Sequence, residues 1–339
     1  MWHLRGTVDV STCNVPLLRP QIYVTNEAHR AEEPLDFAER LLSNRAGRAA
    51  ESLGRRTGSR DGEREMGKTV FITGTSSGLG KASAKYFAEQ GWNVAATMRA
   101  PEKETELTQL RNIKIFKLDV TRLDQVRDAT ERAIAAFGTI DVVVNNAGMG
   151  TFGALELAKE EDIDWQFAVN TRGPINIIRA FLPHFRNNGI GMFINVGSFM
   201  GLTTAAPLGS LYNMSKFALE GLTEGLYYEL KPLNIDLRLI EPGGSTQNDF
   251  VSNIVWNTDP RITVPVYDAL AEKVQRMMAT APDSVKDDTL DIVKTVASLA
   301  NRESNKFRTV IGKTGNDLMA MRRAVPIEEY LETMASNFR

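Results

Sequence analysis

The sequence predicts an α/β fold with a doubly wound parallel sheet, and three observations carry that expectation. From residue 68 onward, short runs rich in Val, Ile and Phe alternate with stretches of helical periodicity, the pattern of a parallel sheet covered on both faces. The strand-like runs are nearly continuous in apolar residues, as strands buried on both sides must be. A glycine-rich turn follows the first run and opens the first helix.

In chain order, strands are expected at 68–73, 93–98, 113–118, 140–145, 191–196, 235–240 and, more weakly, 308–311. Apolar residues at three- and four-residue steps predict helices over 79–90, 123–137, 163–185 and 211–230. After Pro242 the alternation lapses, and two helices near 266–280 and 284–301 precede the last strand. Residues 66–339 need only one domain, with a substrate lid at about 243–282.

Residues 1–65 read differently. They hold ten arginines and no lysine, while the rest of the chain holds sixteen arginines and fourteen lysines. The stretch 54–67 has almost no apolar residue and several glycines, the mark of a flexible linker. Before it, Pro34 and the spacing of Leu35, Ala38, Leu42, Ala46, Ala49 and Leu53 predict one helix over about 34–53. An arginine-rich leader resembles a transit peptide, but ten acidic residues balance the ten arginines. The expectation is a poorly ordered, dispensable extension, either a start placed too early with Met66 the functional one, or a regulatory or targeting arm.

Composition narrows the function. Of 339 residues, 42% are hydrophobic and 24% charged, and the net charge is −2, which gives no footprint for nucleic acid or an anionic membrane. No apolar run reaches the length of a membrane span. A lone Cys13 and three scattered histidines (His3, His29, His184) offer neither a disulfide nor a metal cluster. The expectation is a cytoplasmic protein acting on small molecules, without a metal.

The turn after the first strand reads Thr73-Gly74-Thr75-Ser76-Ser77-Gly78-Leu79-Gly80. A pyrophosphate needs close backbone, free amide groups and the positive end of a helix, and Gly74, Gly78 and Gly80 clear the space. The spacing is Gly-x3-Gly-x-Gly, unlike the commoner dinucleotide fingerprint. Together with Asn145-Asn146-Ala147-Gly148, Ser198 and Tyr212-x3-Lys216 in that order, it resembles the short-chain dehydrogenase/reductase family. Leu118-Asp119-Val120 is similar to that family's adenine-binding segment, and Pro242-Gly243 to its nicotinamide-side turn.

The resemblance implies a Rossmann-type domain that transfers a hydride between a nicotinamide cofactor and a carbonyl or secondary alcohol. Gly74, Ser76, Ser77, Gly78, Leu79 and Gly80 would hold the pyrophosphate side. Asp119 and Val120 would face the adenine, with Asn146 and Gly148 on the adenosine side. Lys216 would also bind the nicotinamide ribose. Asn170 would hold a water that links Lys216 to solvent. A homodimer or homotetramer would form through the helices that carry Asn170 and Tyr212.

The residues support this reading directly. Tyr212 and Lys216 are four apart, so on a helix they share a face. A nearby ammonium favours phenolate and should bring the tyrosine down toward neutral pH, fitting it for acid/base work. Ser198, just past a strand end, can hydrogen-bond a substrate oxygen as charge develops there. A serine nucleophile is disfavoured, since Gly197-Ser198-Phe199 lacks an elbow motif and His184 reads as a helix-end residue.

The second strand ends at Arg99 without an acid, so NADP is expected over NAD, with Thr97 assisting. Glu102 and Glu104 are near enough in sequence to reach back toward the ribose. Phe250, Ile254, Val255, Trp256, Met277 and Met278, with Met149, Phe152, Phe199, Met200 and Leu208, either line a pocket for a small to medium, apolar substrate or belong for the most part to the core. Two rival functions remain: an epimerase or dehydratase on the same fold, and a dinucleotide-binding sensor without catalysis.

Overall fold

The computed structural model describes residues 67–246 and 250–338. The extension 1–65 and the helix expected at about 34–53 lie outside the described residues. Strand β1 (Thr69–Thr73) leads into α1 (Gly78–Glu89), then β2 (Asn93–Met98), β3 (Ile113–Lys117), α2 (Leu123–Phe137) and β4 (Val142–Asn145). A two-residue β5 (Thr151–Phe152) precedes α3 (Glu160–Phe167), a single π turn (Ala168–Arg172) and α4 (Gly173–Asn188). Then come β6 (Gly191–Val196), α5 (Ser210–Leu230), β7 (Ile235–Glu241), β8 (Val255–Trp256), α6 (Pro265–Thr280) and α7 (Thr289–Ala300). β9 (Arg308–Val310), α8 (Gly312–Ala324) and α9 (Ile327–Ser336) close the described chain.

Seven strands form one parallel sheet in the order β3-β2-β1-β4-β6-β7-β9. In β1 all five side chains are buried, because helices cover both faces. Val70 and Ile72 point to one side, where Phe87 of α1 and Ile292, Val293 and Val296 of α7 pack. Phe71 points to the other, against Val126 of α2 and Phe181 and Phe185 of α4. Each such fully buried side chain contributes about 1.5–3 kcal/mol. The strand order reverses between β1 and β4, so a ligand crevice opens at the carboxyl ends of those strands.

The expected elements stand within a few residues of those observed, with three differences. The long helix expected over 163–185 is two helices joined by the π turn at Ala168–Arg172. Periodicity cannot register one inserted residue, which only shifts the phase of the apolar stripe. Residues Thr151–Phe152 and Val255–Trp256 pair as a second, parallel two-stranded sheet, too short to read from a pattern of alternation. The helices α8 and α9 were not anticipated, and Tyr330 of α9 is fully buried. Among the described residues, no helix is long and apolar enough to cross a membrane.

Candidate active site

The glycine turn wraps the amino end of α1. Gly74 adopts φ +71, which costs an L residue strain, and a Cβ on Gly80 would stand 2.1 Å from the Gly74 carbonyl oxygen. Asn146 locks this geometry: its Nδ2 donates to the carbonyl oxygens of Thr73 (2.8 Å) and Gly74 (3.0 Å). Its own N–H donates to Thr73 Oγ1 at 2.9 Å. Asn146 therefore shapes the turn. Ser76 and Ser77 are exposed at the mouth, and no acid occupies the first turn of α1. That leaves the positive helix end available to an anion. Leu79 and Val120 are core residues, so only their main chain faces the crevice.

At the end of β2, Arg99 is exposed and makes no hydrogen bond or ion pair among the described residues; of the two acids near it in sequence, Glu102 is exposed as well, whereas Glu104 is engaged elsewhere. Glu104 accepts from the N–H groups of Glu106 (2.8 Å) and Leu107 (2.9 Å) and pairs with Lys81 at 3.3 Å. Burial pushes its carboxyl up, and those N–H groups with Lys81 more than reverse the effect. Glu104 thus faces away from any ribose. Thr97 also differs from expectation: it is fully buried, and its hydroxyl donates to the Ile72 carbonyl at 3.0 Å. Inward-facing alternation on a central strand leaves it no route to a phosphate. Asp119 spends one oxygen on the N–H (2.9 Å) and hydroxyl (2.7 Å) of Thr121.

Across the crevice, β6 ends just before Ser198, and α5 carries Tyr212 and Lys216 on one face. The Ser198 hydroxyl lies close enough to the Tyr212 phenol to draw its proton affinity down. Ser198 Oγ in turn accepts from the Met200 N–H at 3.2 Å, which fixes the hydroxyl beside the tyrosine. Lys216 Nζ donates to the Val196 carbonyl at 2.9 Å and lies 5.8 Å from the centre of the Tyr212 ring. A Cβ on Gly148 would stand 3.5 Å from Asn170 Oδ1 and 3.8 Å from Lys216 Nζ, so these groups meet at one point. Ser198, Tyr212, Lys216 and Asn170 are thus brought together.

The electrostatics depart from expectation at the tyrosine. Burial pushes the Tyr212 phenol up, and the neighbouring Ser198 hydroxyl pulls it only part of the way back. Lys216 is itself pushed down to about 8 by burial, against the pull of the Glu241 and Glu220 carboxyls. Desolvation of both groups outweighs their mutual help. Tyr212 therefore stands as a neutral acid with a proton to give.

Asn170 sits in the π turn, a local distortion common at functional sites. Its Oδ1 accepts from the Met149 N–H at 2.9 Å, and its Nδ2 donates to the Met149 carbonyl (2.8 Å) and Ser215 Oγ (3.1 Å). The side chain is spent on holding the loop after β4. Two partners in that clamp escaped the sequence reading. Gln166 is fully buried, accepts from the Thr151 N–H at 2.6 Å and donates to Ser215 Oγ at 3.1 Å. Its spacing of four from Asn170 on a helical stripe was the available signal. His184 is the helix-end residue expected: its Nε2 accepts from the Ile140 N–H at 3.1 Å, remote from this cluster in contacts.

The opposite wall is apolar. Phe152 stacks on Tyr212 with ring centres 5.5 Å apart, and Phe250 tilts against the same ring at 5.3 Å. Met200, Ile254, Phe199, Trp256 and Met278 complete the cluster. Met277 and Val255 are exposed, and Met149 packs with the sheet core, so these three fall outside it. Pro242-Gly243 borders it, with the Gly243 N–H donating to Asp287 Oδ2 at 2.6 Å.

The comparisons agree with this geometry. The short chain dehydrogenase family matches residues 68–255. A 3-ketodihydrosphingosine reductase of Bacteroides thetaiotaomicron is 39% identical over 194 residues, covering 56% of this chain and 70% of its own. A solved short-chain dehydrogenase from Streptomyces avermitilis is 27% identical, with a TM-score of 0.69, 80% of this chain and 98% of its own covered. ElxO, solved with NADP bound, is 28% identical with a TM-score of 0.59, covering 73% of this chain and 96% of its own. Other structural neighbours were solved with NAD or NADH. With the family match spanning more than half of its length, the glycine turn and the Ser–Tyr–Lys cluster in place, the chain belongs to the short-chain dehydrogenase family of oxidoreductases.

Proposed function

We propose that this protein reduces a carbonyl to a secondary alcohol, reversibly, with NADPH as the preferred cofactor and an apolar substrate of small to medium size. The observation that carries the reading is the buried, neutral Tyr212 phenol beside Ser198, between a buried Lys216 and an apolar wall.

The residues present fit a nicotinamide dinucleotide. The open end of α1 with Ser76 and Ser77 suits a pyrophosphate, and Arg99 has no partner of its own among the described residues. A guanidinium there pairs with a 2′-phosphate through charge-assisted hydrogen bonds. Glu104, the nearest buried acid, is committed to Lys81. The bound cofactor supplies or takes up the hydride. Around it, Ser198 donates a hydrogen bond to the substrate oxygen, and Tyr212 gives that oxygen its proton as charge builds there. Lys216, as an ammonium, stabilises the phenolate left behind. Met200, Phe152, Phe250 and Trp256 exclude water and hold the apolar part of the substrate.

The name of the Bacteroides relative describes reduction of a keto group on a long-chain compound, which is compatible with such a wall. Exposed Trp165 and Phe167 near the end of α3, with Met214 and Phe217 on α5, support a homodimer or homotetramer through these helices. A panel of apolar ketones and aldehydes, followed by nicotinamide absorbance with NADPH and NADH in parallel, tests the function. Turnover with NADPH is expected. Cofactor binding without net oxidation across the panel would point instead to an epimerase, a dehydratase or a sensor.

A further inference from the structure

Behind the catalytic serine lies a buried acid that the chemistry above does not use. Glu241 ends β7 and is fully buried. Its Oε2 accepts from the Ser198 N–H at 2.7 Å, and a Cβ on Gly197 would collide with both of its oxygens, at 2.4 and 2.7 Å. Only glycine at 197 lets the carboxyl lie flat under the Ser198 peptide.

Its second oxygen, Oε1, is buried without a hydrogen-bond partner among the described residues, and so is Oε1 of Glu220, whose carboxyl lies within hydrogen-bonding reach of Glu241. Two ionised carboxylates offer acceptors only, so two such oxygens facing each other in a buried site require a proton between them. The ionised member is the one with a cation. Glu220 Oε2 accepts from Arg308 Nε at 2.9 Å, and Arg308 also binds Glu224 at 2.6 Å at the surface. Glu241 has no such partner. Its carboxyl is pushed well up, by burial first and then by Glu220, with the Ser198 N–H and Lys216 pulling the other way.

We infer that Glu241 is a neutral carboxylic acid that accepts from the Ser198 peptide, donates its O–H to the Glu220 carboxylate, and so positions the Ser198 hydroxyl. Tyr212, Lys216, Glu220 and Glu224 follow one another at four-residue steps along α5, so a single stripe runs from the reacting atoms to the surface. The groups that face Glu241 are Tyr212, Lys216 and Glu220 of α5 and the Ser198 peptide, with Arg308 of β9 behind Glu220. The one negative charge of the pair sits on Glu220, between Lys216 and Arg308. The effect on catalysis rests on the proposed reductase reading; the protonation of the pair does not.

The test has two arms. The first is thermal unfolding of wild type and Glu241→Gln at pH 5 and pH 7.5. A carboxyl held protonated in the fold but ionised when unfolded loses stability as pH rises from the unfolded value toward the folded one. An amide has no such loss and still accepts from Ser198 while donating to Glu220. The melting temperature of Glu241→Gln relative to wild type should therefore rise by several degrees between the two pH values. A difference that stays constant, or that shrinks toward pH 7.5, overturns the inference. The second arm is activity. Glu241→Leu should lower kcat at least tenfold with little change in cofactor Kd, and Glu241→Gln should recover most of that loss. A Leu variant that folds and matches wild type would refute the positioning role. If wild type turns over no carbonyl while the thermal signature is present, the reductase reading fails and the shared proton stands.

Discussion

The two walls of the crevice are built on opposite principles. The wall formed by the glycine turn, Asn146, Asn170 and Ser215 is a lattice of hydrogen bonds in which nearly every polar atom has a fixed partner. The wall formed by Phe152, Phe250, Ile254, Trp256 and Met278 has packing but few directional contacts. Hydrogen bonds fix atoms to within tenths of an ångström, as proton and hydride transfer demand. Dispersion contacts are non-directional and tolerate changes of shape, as recognition of an apolar group allows. One side of the molecule is built for chemistry and the other for accommodation.

If that division is right, damage to the polar wall should cost rate and damage to the apolar wall should cost selectivity. Tyr212→Phe has the largest expected effect: kcat should fall about 10²–10⁴-fold, the typical contribution of a positioned acid. The ring would still pack between Phe152 and Phe250, so the melting temperature should stay near wild type. A variant keeping more than about a tenth of kcat would break the comparison at its strongest point.

Arg99→Ala comes next. Loss of a charge-assisted phosphate contact of about 1.5–3 kcal/mol should shift the kcat/KM ratio for NADPH over NADH by one to two orders of magnitude. An unchanged ratio would show that 2′-phosphate selection lies elsewhere. A third expectation concerns pH. With Lys216 at about 8, its ammonium is lost as pH rises through that value. Carbonyl reduction should therefore show kcat/KM falling about tenfold per unit above pH 8, with a slope of one proton. A profile flat to pH 10 would place the required charge on another group. The smallest effect is expected on the apolar wall: Trp256→Ala should raise KM for bulky apolar substrates about tenfold, a loss on the order of 1–1.5 kcal/mol, with kcat and cofactor Kd nearly unchanged.

The same division explains what could be read from the chain alone. Strands β1, β2, β4 and β6 are short apolar runs between glycines and polar turns, so pattern and fold coincide there. Ser198, Tyr212 and Lys216 stood out only jointly: a Tyr–Lys pair on one helix face is by itself commonly structural, but here it follows a serine at a strand end and a glycine-rich nucleotide turn. The π turn at Ala168–Arg172, the short sheet of β5 and β8, and the burial of Tyr330 depend on tertiary neighbours that no local window contains. The apolar wall was legible as composition but not as membership, since Met277 and Val255 turned outward. The sign of the tyrosine's shift was missed for a related reason. Burial is a property of the whole fold, and it outweighs the one neighbour that spacing reveals.

The little sheet of β5 and β8 has a kinetic consequence. It joins the chain just after Gly148 and Met149 to the segment that carries Trp256, through Val255 N–H to Gly150 (2.9 Å) and Asn257 N–H to Phe152 (2.7 Å). If the protein is the reductase proposed above, opening the apolar wall to release an alcohol would strain a strap anchored beside the lysine and asparagine of the polar wall. Departure of product, rather than bond-making at carbon, should then set the turnover time. With cofactor deuterated at the transferred position, the isotope effect on steady-state kcat should be much smaller than the effect on a single turnover. Equal effects in the two regimes would mean that the strap opens freely.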